Sequence, residues 1–196
     1  MARLLFQGHG SFRIISDSDA VIYLDPYAGA GYEEPADVIL VTHQHGDHNQ
    51  IQLPARKSTC VVIQEKDALQ NGEYKSFDIK GVKIRAVPAY NKNHDRSKCV
   101  GYILTVDGIK VYASGDTSTT EEMKEYPSHH IDYALLPIDG VYNMNPVEAS
   151  KCADLIGAKH TIPIHMAPGM LFDRHKAEQF KGKNRLIVSA GDEIEL

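Results

Sequence analysis

The segment Thr42-His43-Gln44-His45-Gly46-Asp47-His48 decides the interpretation of this 196-residue chain. It places three imidazoles and one carboxylate within six residues, although the whole chain has only 10 histidines. An H-x-H-x-D-H pattern of this density has a low risk of arising by chance. We therefore interpret the segment as part of a metal site rather than as a solvated, histidine-rich loop.

The residues before this segment explain how it can bind metal. Residues 38–41 form the apolar run Val-Ile-Leu-Val, which predicts a buried strand, and alternate side chains beyond such a strand point the same way. His43 and His45 can then bind one cation together. Asp47 and His48 fall where the chain turns, so they can reach a second cation about 3.5 to 4 Å from the first. Nitrogen and oxygen ligands without a thiolate suit two divalent ions, with Zn²⁺ or Mn²⁺ favoured and Fe²⁺ also compatible.

Three later residues occupy positions equivalent to that segment, just beyond the ends of predicted strands. His94, Asp116 and His165 follow the apolar runs at residues 82–87, 109–113 and 161–164. Loops that follow the strands of a rigid scaffold commonly carry functional side chains. These residues are therefore candidates to complete the metal site.

The order of predicted elements indicates an α/β protein. Asp107-Gly108 separates two strand-like runs, which predicts a two-residue hairpin. Residues 132–137 are predicted as a buried strand, and residues 118–125, 146–156 and 173–180 as helices between later strands. No repeat or flexible linker divides the chain, so we expect a single domain over residues 1–196.

Several short motifs make the chain resemble the metallo-β-lactamase superfamily, and within it the branch similar to ascorbate-6-phosphate lactonase. The motifs are Gly8-His9-Gly10-Ser11, Leu24-Asp25-Pro26, Pro88-Ala89-Tyr90-Asn91, Gly115-Asp116-Thr117 and Pro163-Ile164-His165-Met166. The resemblance implies an αββα sandwich of two mixed β-sheets with helices on the outer faces.

The resemblance also implies a ligand set for two metal ions. His43, His45 and His94 would bind the first ion. Asp47, His48 and His165 would bind the second. Asp116 would bridge both ions.

The implied function is that of a metal-dependent hydrolase, in which a metal-bridged hydroxide cleaves an ester bond, most simply a phosphodiester or a phosphorylated lactone. Asp47 would position the nucleophile while it binds the second ion. Tyr142, His175 and His9 are all candidates for the general acid, and the sequence does not choose among them. A different class stays open, namely a metal-binding sensor or interaction protein without turnover.

Two further residues have two interpretations each. His9 lies between glycines, so it either occupies a tight turn or lies at the rim of the metal cleft, where it would contact substrate or a ligand. Asp25 either supports a ligand histidine or forms the turn before Pro26. The other histidines, His129, His130 and His160, are predicted to be surface or packing residues, and His175 to lie at the surface or at the mouth of the cleft.

The composition of the chain limits the kinds of molecule that the protein is expected to bind. The net charge is −5 with no basic cluster, which argues against a general nucleic-acid surface and leaves a small anionic substrate as the expected partner. The cysteines Cys60, Cys99 and Cys152 have no C-x-x-C spacing, so we expect buried thiols rather than a disulfide framework. No signal peptide or membrane-length apolar run is present, so we expect a cytoplasmic protein that does not bind membranes, with homo-oligomers compatible.

Overall fold

The computed structural model describes residues 1–196 and contains two six-stranded β-sheets and a small hairpin. The strands are β1 (Arg3–Gly8), β2 (Ser11–Ile15), β3 (Val21–Leu24), β4 (Ala36–Leu40), β5 (Arg56–Ile63), β6 (Leu69–Gln70), β7 (Glu73–Tyr74), β8 (Ser76–Ile79), β9 (Val82–Pro88), β10 (Val100–Val106), β11 (Ile109–Ala113), β12 (Tyr133–Pro137), β13 (His160–Ile164) and β14 (Glu193–Glu195). The helices are α1 (Glu65–Ala68), α2 (Pro146–Ile156) and α3 (Arg174–Gln179), with a 3₁₀ helix over Glu121–His129.

Both large sheets are mixed. The first has the order β14-β1-β2-β3-β4-β5, in which β3, β4 and β5 are parallel and the other pairs antiparallel. The second has the order β13-β12-β11-β10-β9-β8, in which β11, β12 and β13 are parallel. The expected two mixed sheets are confirmed.

Alternation of side chains along the strands divides the apolar residues between the two faces of each sheet. In the first sheet, Ile22 and Leu24 face the central core, whereas Tyr23 lies in a cluster on the other side. In the second sheet, Leu135 faces the central core and Leu136 packs in the cluster that includes helix residues. The sheets therefore share one core of 26 buried residues, and each covers its outer face separately.

Helices α2 and α3 and the 3₁₀ helix cover the outer face of the second sheet, whereas α1 contacts β5 and β6. Tyr32 and Ile51, from connecting segments, pack on the outer face of the first sheet. The long helix α2 spans the predicted range, residues 146–156, and its two ends explain why. Asn145 caps its start by accepting amide hydrogens, Pro146 occupies its first turn, and Gly157 ends it with φ 70°. No helix of the structure is both long and apolar enough to cross a membrane.

Two local predictions differ from the structure. The helix expected at residues 118–125 is a 3₁₀ helix over Glu121–His129, because Thr120 is still extended and Pro127 lacks the amide hydrogen that an α-helix would use there. Cys99 and Cys152 are buried thiols as expected, but Cys60 is partly exposed because it lies on the edge strand β5. The hairpin at Asp107-Gly108 is confirmed, with φ of 51° and 83° at the two turn residues.

Candidate metal centre

The predicted ligands lie together where the strands of both sheets end. The segment 42–48 follows β4, Asp116 follows β11 and His165 follows β13. Parallel strands place their carboxyl ends at one edge of a sheet, and β4, β11 and β13 each belong to a parallel set. His94 follows β9, which runs in the same direction as β11 because both are antiparallel to β10. The architecture thus brings seven residues from distant parts of the sequence to one place.

The first cluster consists of His43, His45, His94 and Asp116, each of which offers one ligand atom within 4.8 Å of the others. His43 Nε2 lies 3.0 Å from Nδ1 of His45. Oδ2 of Asp116 lies 3.2 Å from Nε2 of His94 and 4.0 Å from Nε2 of His43. His45 is exposed and the other three are buried, so the first cluster opens to solvent on the side of His45.

The second cluster consists of His9, Asp47, His48 and His165, with the same spacing of ligand atoms. Oδ2 of Asp47 lies 3.0 Å from Nε2 of His9 and 3.7 Å from Nε2 of His165. Oδ1 of Asp47 lies 3.9 Å from Nε2 of His48. The three histidines are buried, whereas the Asp47 side chain is 32% exposed, so Asp47 is the member that faces solvent.

Asp116 lies between the two clusters and turns one carboxylate oxygen toward each. Its Oδ2 faces the first cluster, and its Oδ1 is 3.5 Å from Nε2 of His48 and 3.5 Å from Nε2 of His165. These two nitrogens and Oδ1 are buried and have no hydrogen-bond partner, although buried polar atoms are normally paired. A divalent cation among them would satisfy all three, so the donor set fits a metal ion.

A hydrogen-bond chain orients one histidine of each cluster. Oδ2 of Asp25 is 2.8 Å from Nδ1 of His48 and accepts the hydroxyl hydrogen of Thr42 at 2.6 Å. Because the Thr42 hydroxyl donates to Asp25, it accepts from Nδ1 of His43, 3.0 Å away. Both histidines therefore direct Nε2 toward the centre. Such partners of ligand histidines fix the ring orientation and tautomer. Asp25 supports a histidine, and with φ 46° it also forms the turn, so both interpretations of it hold.

Two more side chains contact predicted ligands and had no assigned role in the sequence. Oδ1 of Asn91 lies 2.9 Å from Nδ1 of His94. Oδ2 of Asp139 lies 3.3 Å from Nδ1 of His165. Asp139 follows β12 just as Asp116 follows β11, and this position after a buried strand was the signal that could have identified it.

Three residues of the site have a left-handed backbone conformation, as six other non-glycine residues of the chain do. His9, Asp25 and His165 have φ of 59°, 46° and 47°, a region that costs a non-glycine residue about 1 to 2 kcal/mol. Gly115 has φ 60°, and a Cβ atom there would lie 2.8 Å from Cβ of Thr42. Strained residues of this kind persist where the surrounding structure fixes them, and they cluster at functional sites.

The electrostatics of the two clusters differ. Burial lowers the pKa of His43 to about 2, and the neighbouring His48 adds to this. Burial also opposes the charged form of His165, but Asp116 and Asp139 outweigh it and raise the pKa of His165 to about 10. Burial raises the pKa of Asp116, yet His48 and His165 hold it well below the ordinary value. These shifts favour the neutral form of His43 in the first cluster and the protonated form of His165 in the second while no ion is bound.

Cavities open over the clusters. One of about 410 Å³ is lined by His45, Asp47, Asn93, His94, Asp116 and Tyr142. Another of about 320 Å³ adjoins it and is lined by His43, Gln44, His45, Glu65, Asn93, His94, Asp95, Lys98 and Cys99. A cavity of about 480 Å³ on the outer face of the second sheet contains none of the predicted ligands. Substrate access is therefore expected through the two cavities at the clusters.

His129, His130, His160 and His175 belong to neither cluster, whereas His9 belongs to the second. His9 occupies a tight turn and contacts Asp47, so it combines both interpretations, but it is fully buried rather than at the rim. His130 is exposed, His129 is partly buried and His160 stacks on Tyr133. Of the general-acid candidates, Tyr142 lines a cavity, whereas His175 is exposed and lines neither cavity.

Comparisons with known proteins show the family to which the chain is similar. A family model described as the beta-lactamase superfamily domain matches residues 3–165. A UPF0173 metal-dependent hydrolase of Thermococcus onnurineus is 30% identical over 100% of both chains. A solved structure of a candidate metal-dependent hydrolase from Parabacteroides distasonis is 32% identical, covers 94% of this chain and 91% of its own, and has a TM-score of 0.75. Igni18, a metallo hydrolase from Ignicoccus hospitalis, is 21% identical over 98% of this chain and 97% of its own, with a TM-score of 0.76, and shows the shared fold.

Proposed function

The chain belongs to the metallo-β-lactamase superfamily, and because it is a metal-dependent hydrolase of that superfamily, we propose that it cleaves an ester bond in a small anionic substrate. The two substrate classes that we propose are a phosphodiester and a phosphorylated lactone. The observation that carries the proposal is the position of Asp116, whose two carboxylate oxygens face two separate clusters of metal-ligand atoms.

We assign the ligands of two ions from that arrangement. The histidines of the first cluster would hold the first ion, Asp47, His48 and His165 would hold the second, and Asp116 would be shared between them. Imidazole and carboxylate ligands without a thiolate favour Zn²⁺ or Mn²⁺, and Fe²⁺ is compatible. Two such ions, when bound, supply a water of lowered pKa and positive charge for the oxygen that becomes negative.

Asp47 has the position and the charge to orient the attacking water. Its side chain is partly exposed and lines the cavity over the clusters. Burial raises the pKa of Asp47, but the neighbouring His165 and the hydrogen bond from His9 outweigh burial and hold the pKa well below its ordinary value. The carboxylate is therefore charged at neutral pH and accepts a hydrogen bond from the water. Tyr142 lines the same cavity with its side chain half exposed, so it is our candidate for protonating the leaving group.

The charge of the site favours an anionic substrate. Two divalent ions would bring four positive charges, against which Asp47 and Asp116 supply two negative charges at the cavity. Asp25 and Asp139 lie behind the ligand histidines, so the side of the loaded centre that faces the cavity is the cationic one. Lys98 lines the adjoining cavity and adds a cation, although Glu65 and Asp95 also lie there. A small substrate with one phosphate matches this local field, whereas the net charge of −5 is unsuited to a nucleic-acid surface.

The test compares hydrolysis of three substrates by protein loaded with Zn²⁺ or Mn²⁺: bis(4-nitrophenyl) phosphate, a phosphorylated lactone, and the same lactone without its phosphate. We expect turnover of at least one anionic ester, a lower kcat/KM for the uncharged lactone, and loss of activity after chelation that returns when the ion is restored. Two bound ions with no turnover of any ester would favour the non-catalytic sensor instead. Equal or better use of the uncharged lactone would overturn the anionic substrate.

A further inference from the structure

We propose that His9 is a positioning residue that fixes the carboxylate of Asp47 for the ion of the second cluster. The two side chains meet through Nε2 of His9 and Oδ2 of Asp47, which are 3.0 Å apart. This rests on the proposed function, because Asp47 acts as a ligand only if the second cluster holds an ion. His9 was not among the seven ligands predicted from the sequence.

The hydrogen bonds of the His9 ring leave one nitrogen for Asp47. Its Nδ1 lies 3.0 Å from the carbonyl oxygen of Met170, and its Nε2 lies 3.0 Å from the Asp47 carboxylate. Both oxygens only accept hydrogen bonds, so the ring that makes both contacts carries a hydrogen on each nitrogen. The ring is fully buried and packs between His165, with centroids 3.8 Å apart, and Tyr27, with centroids 5.2 Å apart. Nε2 therefore points at Oδ2 of Asp47 with no freedom to turn away.

The backbone of His9 is fixed to the same loop that carries a predicted ligand. His9 has φ 59° and lies between Gly8 and Gly10. Its amide donates to the carbonyl of Leu171 at 2.7 Å, and its carbonyl accepts the amide hydrogen of His165 at 2.7 Å. The turn and the loop after β13 thus form one unit around the second cluster.

Close packing at Gly10 ties the turn to the other histidine of the cluster. A Cβ atom at Gly10 would lie 3.2 Å from Cε1 of His48, so the backbone of the turn lies directly against that ring. Asp47 is by contrast the partly exposed member of the second cluster, and its own segment is a loop. His9 is therefore the rigid partner, and its contact fixes the position of the more exposed Asp47 carboxylate.

Two substitutions of His9 separate its two hydrogen bonds. Gln places an amide nitrogen near the position of Nε2, so His9→Gln keeps a donor for Asp47 and loses the bond to Met170. Asn places its amide nitrogen near the position of Nδ1, so His9→Asn keeps the bond to Met170, tolerates the positive φ and cannot reach Asp47. His130 gives a matched control because it is exposed and has φ 52°.

The experiment is a titration of the ion-free proteins with Zn²⁺ and with Co²⁺, in which the absorption bands of Co²⁺ report on the second ion separately. For His9→Asn we expect the second ion to bind about 10- to 100-fold more weakly, as for loss of other partners of metal ligands. For His9→Gln we expect a change of about threefold or less, and the first ion should bind normally in both variants, which shows that the fold is intact. His130→Asn and His130→Gln should match the wild type.

Binding of the second ion by the variants tests the role of His9, whereas its binding by the wild type tests the two-ion centre. If His9→Asn binds the second ion as tightly as the wild type, His9 does not position Asp47. If His9→Gln and His9→Asn lose the second ion equally, the packing or ligation of the ring matters rather than the hydrogen bond to Asp47, and the inference is again wrong. If the wild type itself takes up no second ion, the two-ion assignment fails together with the inference.

Discussion

The carboxylate of Asp25 lies 2.8 Å from Nδ1 of His48, and the two side chains are each only 1% exposed. The same carboxylate accepts the backbone amide hydrogen of Thr42 at 2.7 Å and, through the Thr42 hydroxyl, orients His43. One buried acid after β3 thus sets the direction of a histidine in each cluster. Asp25 has no metal-ligand atom in either cluster, so its effect on metal binding is indirect.

Asp25→Asn is therefore expected to weaken both ions. The amide keeps the shape, but its nitrogen is a donor that faces the donors of Thr42 and His48. We expect each ion to bind about 10-fold more weakly or worse, which titration with Zn²⁺ measures. Asp19→Asn is the matched control, because Asp19 is exposed and also has a positive φ, of 58°. Normal metal binding by Asp25→Asn would mean that Asp25 is only a turn residue.

Metal loading is expected to depend on pH mainly at the second cluster. In the ion-free protein, Asp116 and Asp139 outweigh burial and raise the pKa of His165 to about 10, so an ion must displace a proton there at any pH below that value. Burial keeps the pKa of His43 at about 2, so no proton leaves His43 at neutral pH. Because a displaced proton is a product of binding, affinity rises as pH rises, by about tenfold per pH unit for each proton released.

Calorimetric titration at pH 6, 7 and 8, in buffers of different ionisation enthalpy, counts the protons released by each ion. The second ion should show the steeper dependence on pH and the larger proton release. Equal slopes for the two ions would contradict the difference between the clusters. The order of loading follows as well, because the first cluster should fill before the second at pH 6.

Replacement of single histidines tests which of them hold metal. His94→Ala and His165→Ala each remove a ring from a cluster, so each should lower the metal content of protein reconstituted with Zn²⁺. His130→Ala and His160→Ala should keep it, because neither residue belongs to a cluster. Elemental analysis per chain decides this. A normal metal content in His94→Ala would show that the first cluster has been misassigned.

The sequence alone was sufficient to select the candidate ligands, for one physical reason, whereas the fold was expected from the family resemblance. Apolar runs mark buried strands, and metal-binding side chains that follow parallel strands meet at one sheet edge. His94 and His165 could be selected in this way even though they are far from the segment 42–48. The apolar runs and the hairpin at Asp107-Gly108 predict individual strands, whereas the two mixed sheets were expected from the resemblance to the superfamily.

The partners of the ligands were harder to predict because they depend on contacts between loops. Asp139 meets His165, and Asn91 meets His94, only after their loops have folded over one edge. Sequence spacing also could not show that the turn at His9 is buried against Asp47, because β1 and β4 must first be placed in the sheet. The helix type and range at residues 121–129 differ from the predicted helix over residues 118–125, because the prediction took no account of Pro127.

A buried carboxylate with two partly exposed lysine partners, away from the metal centre, is expected to contribute to stability. The Asp37 carboxylate is 2% exposed and lies 2.6 Å from Nζ of Lys57 and 2.8 Å from Nζ of Lys80. Burial raises the pKa of Asp37, but the two lysines and the amide of Val21 outweigh it and hold the pKa below its ordinary value. A lowered pKa in the folded state stabilises the protein above the unfolded pKa of about 3.9, and that stability is lost as pH falls through the folded pKa.

Asp37→Asn should lower the free energy of unfolding at pH 7 by about 1 to 2 kcal/mol, because a hydrogen bond to a charged group contributes about 1.5 to 3 kcal/mol and solvent screens the two partly exposed lysines. Below pH 4 its deficit relative to the wild type should shrink, because the wild type loses the same interaction on protonation. Urea unfolding at pH 7, 5 and 3 measures both effects. Glu121→Gln removes an exposed partner of Lys124 and should change little. A deficit independent of pH would contradict the charge-based origin.

Asp116→Asn tests the two-ion mechanism most directly, because it removes charge at nearly constant shape. Two divalent ions about 4 Å apart repel each other by on the order of 10 kcal/mol at an effective dielectric constant of 20, and the shared carboxylate offsets part of this. An amide offers one oxygen and no charge, so the second ion should leave first.

We therefore expect Asp116→Asn to hold about one ion per chain and to lose turnover by about a hundredfold or more. The loss should exceed that of His94→Ala or His165→Ala, because each of these histidines belongs to one cluster whereas the Asp116 oxygens face both. Asp78→Asn, on the exposed strand β8, is the control for an acid-to-amide change elsewhere. An Asp116→Asn variant that keeps two ions and a near-normal rate would show that Asp116 is only a turn residue, and the two-ion mechanism would then have to be withdrawn.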